Sequence, residues 1–302
     1  MPTEPLDSIL YRELSKAQAR PDIELASGVL QELVNYASNA LVRCATSAKG
    51  EENEDLAVLS LYRHIMEMTD GVEVLISESC VTPAVPLIRS SFEAVVSMEY
   101  ILQDDAQYVA RSLAWLVDYV HQRLDLYQLV DRSTTRGQEY HRTLSQDKTV
   151  QTIPALPQEE VSQAIGNLQD LLAKPQFAGI DKDFAQLKGQ KAWCRLYGGP
   201  KNLRELAHRV RRGAQYDFLY RNWCRVSHAH DFAPFLARTA DGPGAIRGIR
   251  DPSDLNTVAS FAATFMLGAT RVLIGKFHPG EDTRTWYERD VRAAYMQLIR
   301  RE

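Results

Sequence analysis

A nearly continuous apolar stretch from Pro83 to Leu102, PAVPLIRSSFEAVVSMEYIL, constrains the fold of this chain more than any other feature. It reads as one long helix that carries Arg89 and Glu93 four residues apart, a spacing that makes two side chains neighbours on a helix surface. A helix that is apolar all round is usually buried, and a charge in such a place is costly unless it is paired. The stretch therefore predicts the central helix of a bundle, in which Arg89 and Glu93 are buried and joined to each other or to a polar group of a neighbouring helix, such as His64 or Glu67.

The rest of the chain also has helical periodicity, and no segment alternates with a period of two for long. This pattern predicts an all-α fold, a multi-helix bundle with a less regular helical insertion lobe. The short connection before Pro83 predicts that the two flanking helices form an antiparallel hairpin. The segments with helical periodicity are 4–19, 22–48, 56–79, 83–102, 104–131, 158–173, 202–212, 216–233, 255–277 and 283–300.

The composition changes between Arg132 and Pro200, where prolines and polar residues interrupt the long helical periods. This segment has too few large apolar residues for a core of its own. We therefore predict a single helical domain, 1–302, with an N-terminal bundle half (1–132), a polar insertion lobe (133–200) and a C-terminal bundle half (201–302).

The net charge of −4 hides an uneven distribution along the chain. Residues 1–105 contain 7 Lys or Arg against 18 Asp or Glu, whereas residues 195–250 contain 11 basic and 4 acidic residues. One interpretation is that the basic surface docks on the acidic half, within or between subunits. The other is that it binds an anionic ligand such as nucleic acid.

Several features predict a cytoplasmic protein without a membrane segment. The four cysteines are scattered, which favours reduced thiols over a disulfide framework. The N-terminal residues are acidic where a signal peptide would be basic and then apolar. The longest charge-free stretch, Leu255 to Thr270, is too short and too rich in Ala, Ser and Thr to span a bilayer.

The common catalytic motifs are absent: there is no phosphate-binding loop, no dinucleotide fingerprint and no nucleophile elbow. Two acid–histidine pairs have the spacing used in helical di-metal sites, and a third pair has the same spacing in the reverse order. The number of such pairs is close to the number expected by chance, so we predict no metal and no cofactor. The pairs are Asp118–His121, Glu205–His208 and His64–Glu67.

The second informative stretch is Tyr216–Leu236, YDFLYRNWCRVSHAHDFAPFL. A helical period places one polar side opposite a core side formed by Tyr216, Leu219, Trp223, Val226 and His230. On the polar side, Arg221 and Arg225 precede His228, a general-base candidate beside two fixed positive charges. Such a set suits attack on a phosphodiester, because His can accept a 2′-hydroxyl proton while Arg stabilises the charged phosphorane. The alternative is a solvated face on which Asp217 and Asp231 balance the basic groups.

The segment Leu61–Leu102 resembles a bacterial helical family of unknown function that has an R-S-x-F-E-A helix followed by a later Tyr-x-x-x-Ser-x-x-His-like helix. Here the first part is carried by Arg89, Ser90, Phe92, Glu93 and Ala94, and the second is approximated by Tyr220, Ser227 and His228. That family resembles abortive-infection and HEPN-type proteins, many of which are metal-independent RNases that use an Arg and a His. The resemblance implies a helical fold, a defence or toxin role, and a motif placed at a two-fold interface, with Arg221 and His228 in the loosest form of the motif.

Two hypotheses of different classes follow. In the first, the protein cleaves or binds RNA; its catalytic residues are Arg221 and His228, supported by Asn222 and Arg225. In the second, a non-catalytic helical protein binds a partner or small ligand in a polar pocket around Arg89 and Glu93. The binding residues that we assign are Arg89, Glu93, Tyr220 and Ser227. Under either hypothesis we expect a homo-oligomer, most simply a dimer.

Overall fold

A computed structural model describes residues 12–48, 53–148, 156–189, 191–227, 236–237, 245–246, 249–280 and 282–300. These residues are almost entirely helical, which confirms the predicted all-α fold class. The strands that occur among them are two residues long: Leu236–Ala237 (β1) pairs antiparallel with Ala245–Ile246 (β2).

The helices follow the apolar periods of the sequence closely. The predicted central helix is α4, and the apolar, Ala-rich helix near the C-terminus is α12. The helices are α1 (Arg12–Gln18), α2 (Arg20–Ser47), α3 (Asp55–Ser77), α4 (Val81–Leu102), α5 (Tyr108–Val130), α6 (Thr135–Leu144), α7 (Gln158–Leu172), α8 (Pro175–Ala185), α9 (Leu203–Arg209), α10 (Gly213–Gln215), α11 (Arg221–Ser227), α12 (Leu255–Phe277), α13 (Thr283–Trp286) and α14 (Arg292–Ile299). Short 3₁₀ segments span Asp105–Gln107 and Trp193–Gly198, and π-helical turns span Tyr216–Tyr220 and Tyr287–Val291.

The chain divides into two compact units, and the first contains 1–49, 58–103 and 203–302. Its core is built where α12 packs against α2 and α4. Phe92 of α4 and Phe265 of α12 are both fully buried, with ring centroids 5.8 Å apart. The buried hydroxyl of Tyr62 in α3 is 2.9 Å from that of Thr270 in α12, so that α3 is tied to the same core.

The turn between α3 and α4 has a Schellman-type geometry. Ser79 adopts the left-handed conformation, with φ 58°, and the amide of Cys80 donates to the carbonyl of Leu75. Such a cap satisfies the carbonyls at a helix end and reverses the chain sharply. Farther along the hairpin, His64 Nε2 of α3 lies 2.8 Å from Ser90 Oγ of α4, as expected for the predicted antiparallel pair.

The second unit contains 50–57 and 104–202 and has a hydrophobic core of its own. Five buried residues of α5 supply one side of this core, and α7, α8 and the segment around Leu196 supply the other. The predicted insertion lobe, 133–200, lies within this unit. The α5 residues are Leu113, Ala114, Val117, Val120 and Leu124. The organisation of the chain as a single domain stays a prediction.

Two helices of the second unit were not expected from the sequence. Helix α6 is mostly polar, and it begins at an N-cap in which Thr134 accepts a hydrogen bond from the amide of Gly137. Helix α8 begins at Pro175, the position at which a helix tolerates proline best. Neither helix has a long enough helical period of apolar residues to be predicted from the sequence.

Within the described residues, α12 is the one helix that is long and apolar enough to cross a membrane by length and composition. Its most apolar window of 18 residues is 61% buried. A core helix passes the same test, and this helix packs against α2 and α4. The cytoplasmic, membrane-free location stays a prediction.

Candidate functional site

A polar triad of Arg89, Glu93 and Tyr220 lies in the first unit, where α4 meets the π-helical turn. The hydroxyl of Tyr220 donates to Glu93 Oε1 at 2.7 Å. Arg89 Nε donates to the same hydroxyl at 3.3 Å and lies 3.2 Å from Glu93 Oε1. The ion pair predicted from the four-residue spacing is therefore present, and the tyrosine hydroxyl fixes its orientation.

The predicted burial of this pair was wrong. The side chains of Arg89 and Glu93 are 26% and 44% exposed. They lie on a half-exposed stripe of α4 together with Ser97, whereas neighbouring positions such as Phe92 and Val95 are fully buried. The helix is thus apolar on most of its circumference but keeps one polar stripe that stays partly exposed among the described residues.

The two residues suggested as polar partners of the pair, His64 and Glu67, make other contacts. His64 lies against Ser90 at 2.8 Å, and Glu67 pairs with Arg63 one turn away on α3. The partner that completes the pair is Tyr220, which the resemblance had assigned to the binding residues.

Electrostatics keep Tyr220 and Arg89 each in one protonation state at neutral pH. Burial, reinforced by the hydrogen bond to Glu93, raises the pKa of the Tyr220 hydroxyl well above its ordinary value. The hydrogen bond to Tyr220 raises the pKa of Arg89. The tyrosine therefore stays a neutral donor beside a fixed cation, and it does not act as a base in this arrangement.

An open cleft of about 440 Å³ lies beside the triad. The ring of Tyr220 stacks on Tyr216 with centroids 5.0 Å apart, and the guanidinium of Arg89 lies 5.3 Å from the centroid of the Tyr220 ring. Aromatic, cationic and amide groups thus meet at one concave surface. The lining residues are Tyr216, Asp217, Tyr220, Arg221, Asn222 and Cys224.

The carboxylate in this cleft, Asp217, is held by basic residues of α9. Arg204 Nε donates to Asp217 Oδ1 at 3.1 Å, and His208 Nε2 lies 3.3 Å from Oδ2. The hydrogen bond from Arg204 lowers the pKa of Asp217. Its charge is therefore compensated, and it does not make the cleft acidic.

A second ion pair anchors this region to α4. Arg212, just before α10, makes a two-pronged contact with Glu99, with Nε–Oε2 and Nη2–Oε1 distances of 2.7 and 2.6 Å. Arg212 also donates to Gln215, and its guanidinium lies 5.8 Å from the ring centroid of Phe265. This contact holds the chain in place immediately before the turn that carries Tyr220.

The predicted catalytic residues are only partly described. The side chains of Arg221 and Asn222 are exposed and line the cleft, and Asn222 Nδ2 donates to the carbonyl of Phe218 at 2.7 Å. Arg225 and Ser227 belong to α11, but their side chains lie outside the described residues, as does His228 entirely. Their roles stay predictions.

The helical period predicted for this stretch is observed only in part, because a π-helical turn interrupts it. The amide of Arg221 bonds to the carbonyl of Tyr216, five residues back, so the turn holds more residues than an α-helical one. Trp223 is buried and Arg221 is exposed, as predicted, whereas Tyr216 is only half-buried. Tyr220 is also buried, and Phe218 is 75% exposed. The apolar pattern alone gave no signal for this wide turn.

No group of three metal-ligating side chains occurs in the part of the chain that the structure describes. The histidines of the three pairs considered have other partners there: His121 contacts Asp181 at 2.6 Å, His64 contacts Ser90, and His208 contacts Asp217. The absence of a metal or cofactor stays a prediction.

Fold and site together define an all-α protein with an arginine-lined polar cleft beside a tyrosine-centred triad. The chain belongs to a family of unknown function, DUF5677, whose sequence pattern matches residues 55–242. This match covers more than half of the chain and includes Arg89, Glu93, Tyr220 and Arg221. No curated protein and no solved structure matches the chain. The predicted membership of a helical family of unknown function is confirmed at this level.

Proposed function

We propose that this protein binds single-stranded RNA at the cleft and cleaves it without a divalent metal, in the manner of HEPN-type proteins. The observation that supports this function best is the position of Arg221 and Asn222. Both side chains are exposed on the wall of an open cleft and are not used to pack the core. An exposed arginine on a concave surface suits contact with a phosphate.

The reaction that these residue types suit is transesterification. His228 takes the proton of the 2′-hydroxyl, the 2′-oxygen attacks the adjacent phosphorus, and the bond from phosphorus to the 5′-oxygen breaks. The protonated histidine then gives its proton to the leaving 5′-oxygen. Arg221 compensates the charge that develops on the phosphorane. The products are a 2′,3′-cyclic phosphate and a 5′-hydroxyl, and the role of the reaction in the cell is defence or toxicity.

The test is purified protein with single-stranded RNA in excess EDTA, compared with His228→Ala, Arg221→Ala and the control His278→Asn. His278 caps α12 in the left-handed conformation, which asparagine tolerates. We expect cleavage to persist in EDTA and in the control, to vanish in His228→Ala, and to fall by about 10²–10³ in Arg221→Ala. Equal cleavage by all variants would assign the activity to a contaminant or another site.

A second candidate function, binding of a small anionic ligand, is supported by Arg89. Its Nε contacts Tyr220 and Glu93, while its two Nη atoms have no hydrogen-bond partner among the described residues. If no RNA is bound or cleaved but phosphate or a small carboxylate raises the melting temperature of the native protein and not that of Arg89→Ala, this second function replaces the first.

A further inference from the structure

The most exposed aromatic side chain of the described residues lies next to the cleft. Phe218 is 75% exposed, whereas Phe92, Phe177, Phe184 and Phe265 are all buried. It belongs to the same π-helical turn as Tyr216 and Tyr220. An aromatic ring left in water at such a position gains nothing from folding, because its apolar surface stays hydrated.

Two polar residues suited to contact with a nucleotide follow Phe218 on the same helical segment. Phe218, Arg221 and Asn222 are the exposed residues of 216–223, and the side-chain amide of Asn222 bonds to the carbonyl of Phe218. An aromatic ring, a guanidinium and an amide therefore follow one another on the exposed side of one helical segment. Arg221 and Asn222 also line the cleft.

We infer that Phe218 is a stacking platform for an unpaired base of the RNA, with the neighbouring phosphate at Arg221. This inference rests on the proposed function and narrows its substrate to nucleotides outside a duplex. In a duplex both faces of a base are covered by its neighbours, whereas bases of single strands and loops are free to stack on protein rings. The site selects strandedness rather than sequence, because every base has a π-face.

The size of the effect follows from the energy of stacking. One base stacked on an aromatic side chain changes the affinity by roughly 5- to 100-fold when the ring is removed. A flat ring of any kind serves, so tryptophan in place of phenylalanine retains the binding. Loss of Arg221 weakens binding of every RNA that has a backbone phosphate at the site, whether or not a base is present.

The experiment measures fluorescence anisotropy at one fixed salt concentration with the full chain in a His228→Ala background, so that the RNA stays intact. The RNAs are a labelled single strand, the same strand with successive positions made abasic, and a perfect duplex. The variants are Phe218→Ala, Phe218→Trp and Arg221→Ala. The control is Ile249→Ala, a side chain equally exposed at 75% that does not line the cleft.

We expect Phe218→Ala to lose about 5- to 100-fold in affinity for the single strand and to show no further loss when the critical position is abasic. Phe218→Trp and Ile249→Ala bind like the parent. If Arg221→Ala weakens binding but Phe218→Ala does not, the stacking inference is overturned while RNA binding stands. If no RNA binds the parent, the proposed function fails, and the inference fails with it. If Phe218→Ala instead converts a dimer into a monomer without RNA, the ring is covered by a second copy, and the inference is equally overturned.

Discussion

Single residues determine the character of the cleft, and the hydroxyl of Tyr220 is the most informative of them. It donates to Glu93 and accepts from Arg89, so it turns a simple helical ion pair into an oriented triad. The guanidinium of Arg89 therefore keeps a fixed direction, and both of its Nη atoms lack a hydrogen-bond partner among the described residues.

Removing Arg89 is expected to destabilise the protein only moderately. The pair is 26% and 44% exposed, so water can solvate Glu93 after the change, and the lost hydrogen bond and ion pair together amount to about 1–2 kcal/mol. Chemical unfolding of Arg89→Ala measures this loss of unfolding free energy. The matched control is Arg63→Ala, which removes a more exposed pair at the same spacing and should cost less than about 0.5 kcal/mol. A loss of 3 kcal/mol or more for Arg89→Ala would show that the pair is desolvated in solution.

The sequence predicted the Arg89–Glu93 contact because helical spacing alone decides it. It could not predict the degree of burial, which depends on whether another element covers that stripe of α4. Nor could it locate Phe218 on the exposed side, since one additional residue in the π-helical turn changes which side chains face the core. The burial of the ion pair and the exposure of Phe218 thus both depend on structure that a regular helical period does not contain: the elements packed around α4 and the π-helical turn.

At the scale of whole elements, long apolar helices were the most predictable part of the fold. The observed bounds of α2, α3, α4 and α12 differ from the predicted ones by no more than two residues at either end, because continuous apolar periods leave little freedom. Helices α6 and α8 were not predicted, because an N-cap and a proline at the first helical position mark them rather than an apolar face. Among the described residues, two ion-paired contacts join the segment α9 to α11 to α4, and the less exposed of them is that between Arg212 and Glu99.

Truncating Arg212 is expected to be more damaging than truncating Arg89. Its guanidinium and the Glu99 carboxylate are 14% and 18% exposed and share two hydrogen bonds. Arg212→Ala leaves a largely buried carboxylate without its partner, and we expect a loss of about 2–4 kcal/mol in unfolding free energy. Arg212→Lys should recover only part of it, because an ammonium cannot make the two-pronged contact.

The control for this change is Arg209→Ala, which removes an exposed side chain of α9 and should alter the unfolding free energy by less than about 0.5 kcal/mol. Chemical unfolding followed by circular dichroism gives all three values. Equal stability of Arg212→Ala and Arg209→Ala would mean that the Glu99 contact contributes nothing to holding α9 to α11 on α4.

For the whole molecule, the uneven charge bears on assembly. Residues 1–105 have an excess of 11 acidic groups and residues 195–250 an excess of 7 basic groups. Complementary fields of this size accelerate association and orient partners, and salt screens them. The same basic excess serves either a second copy of the chain or an RNA, so assembly and RNA binding are expected to depend on salt in the same direction.

We expect the protein to form a dimer that weakens as salt rises. Sedimentation velocity at micromolar concentration should give a species of twice 34.1 kDa in low salt. The monomer fraction should increase when the ionic strength is raised from about 0.05 to 0.5 M, because the Debye length falls from more than 10 Å to less than 5 Å. A dimer that resists salt would be held by apolar surface instead, and only the 34.1 kDa species at every salt concentration would contradict self-association.

Adding single-stranded RNA to the dimer separates the two uses of the basic surface. RNA that dissociates the dimer competes for that surface, whereas RNA that binds the intact dimer occupies a cleft that the interface leaves open.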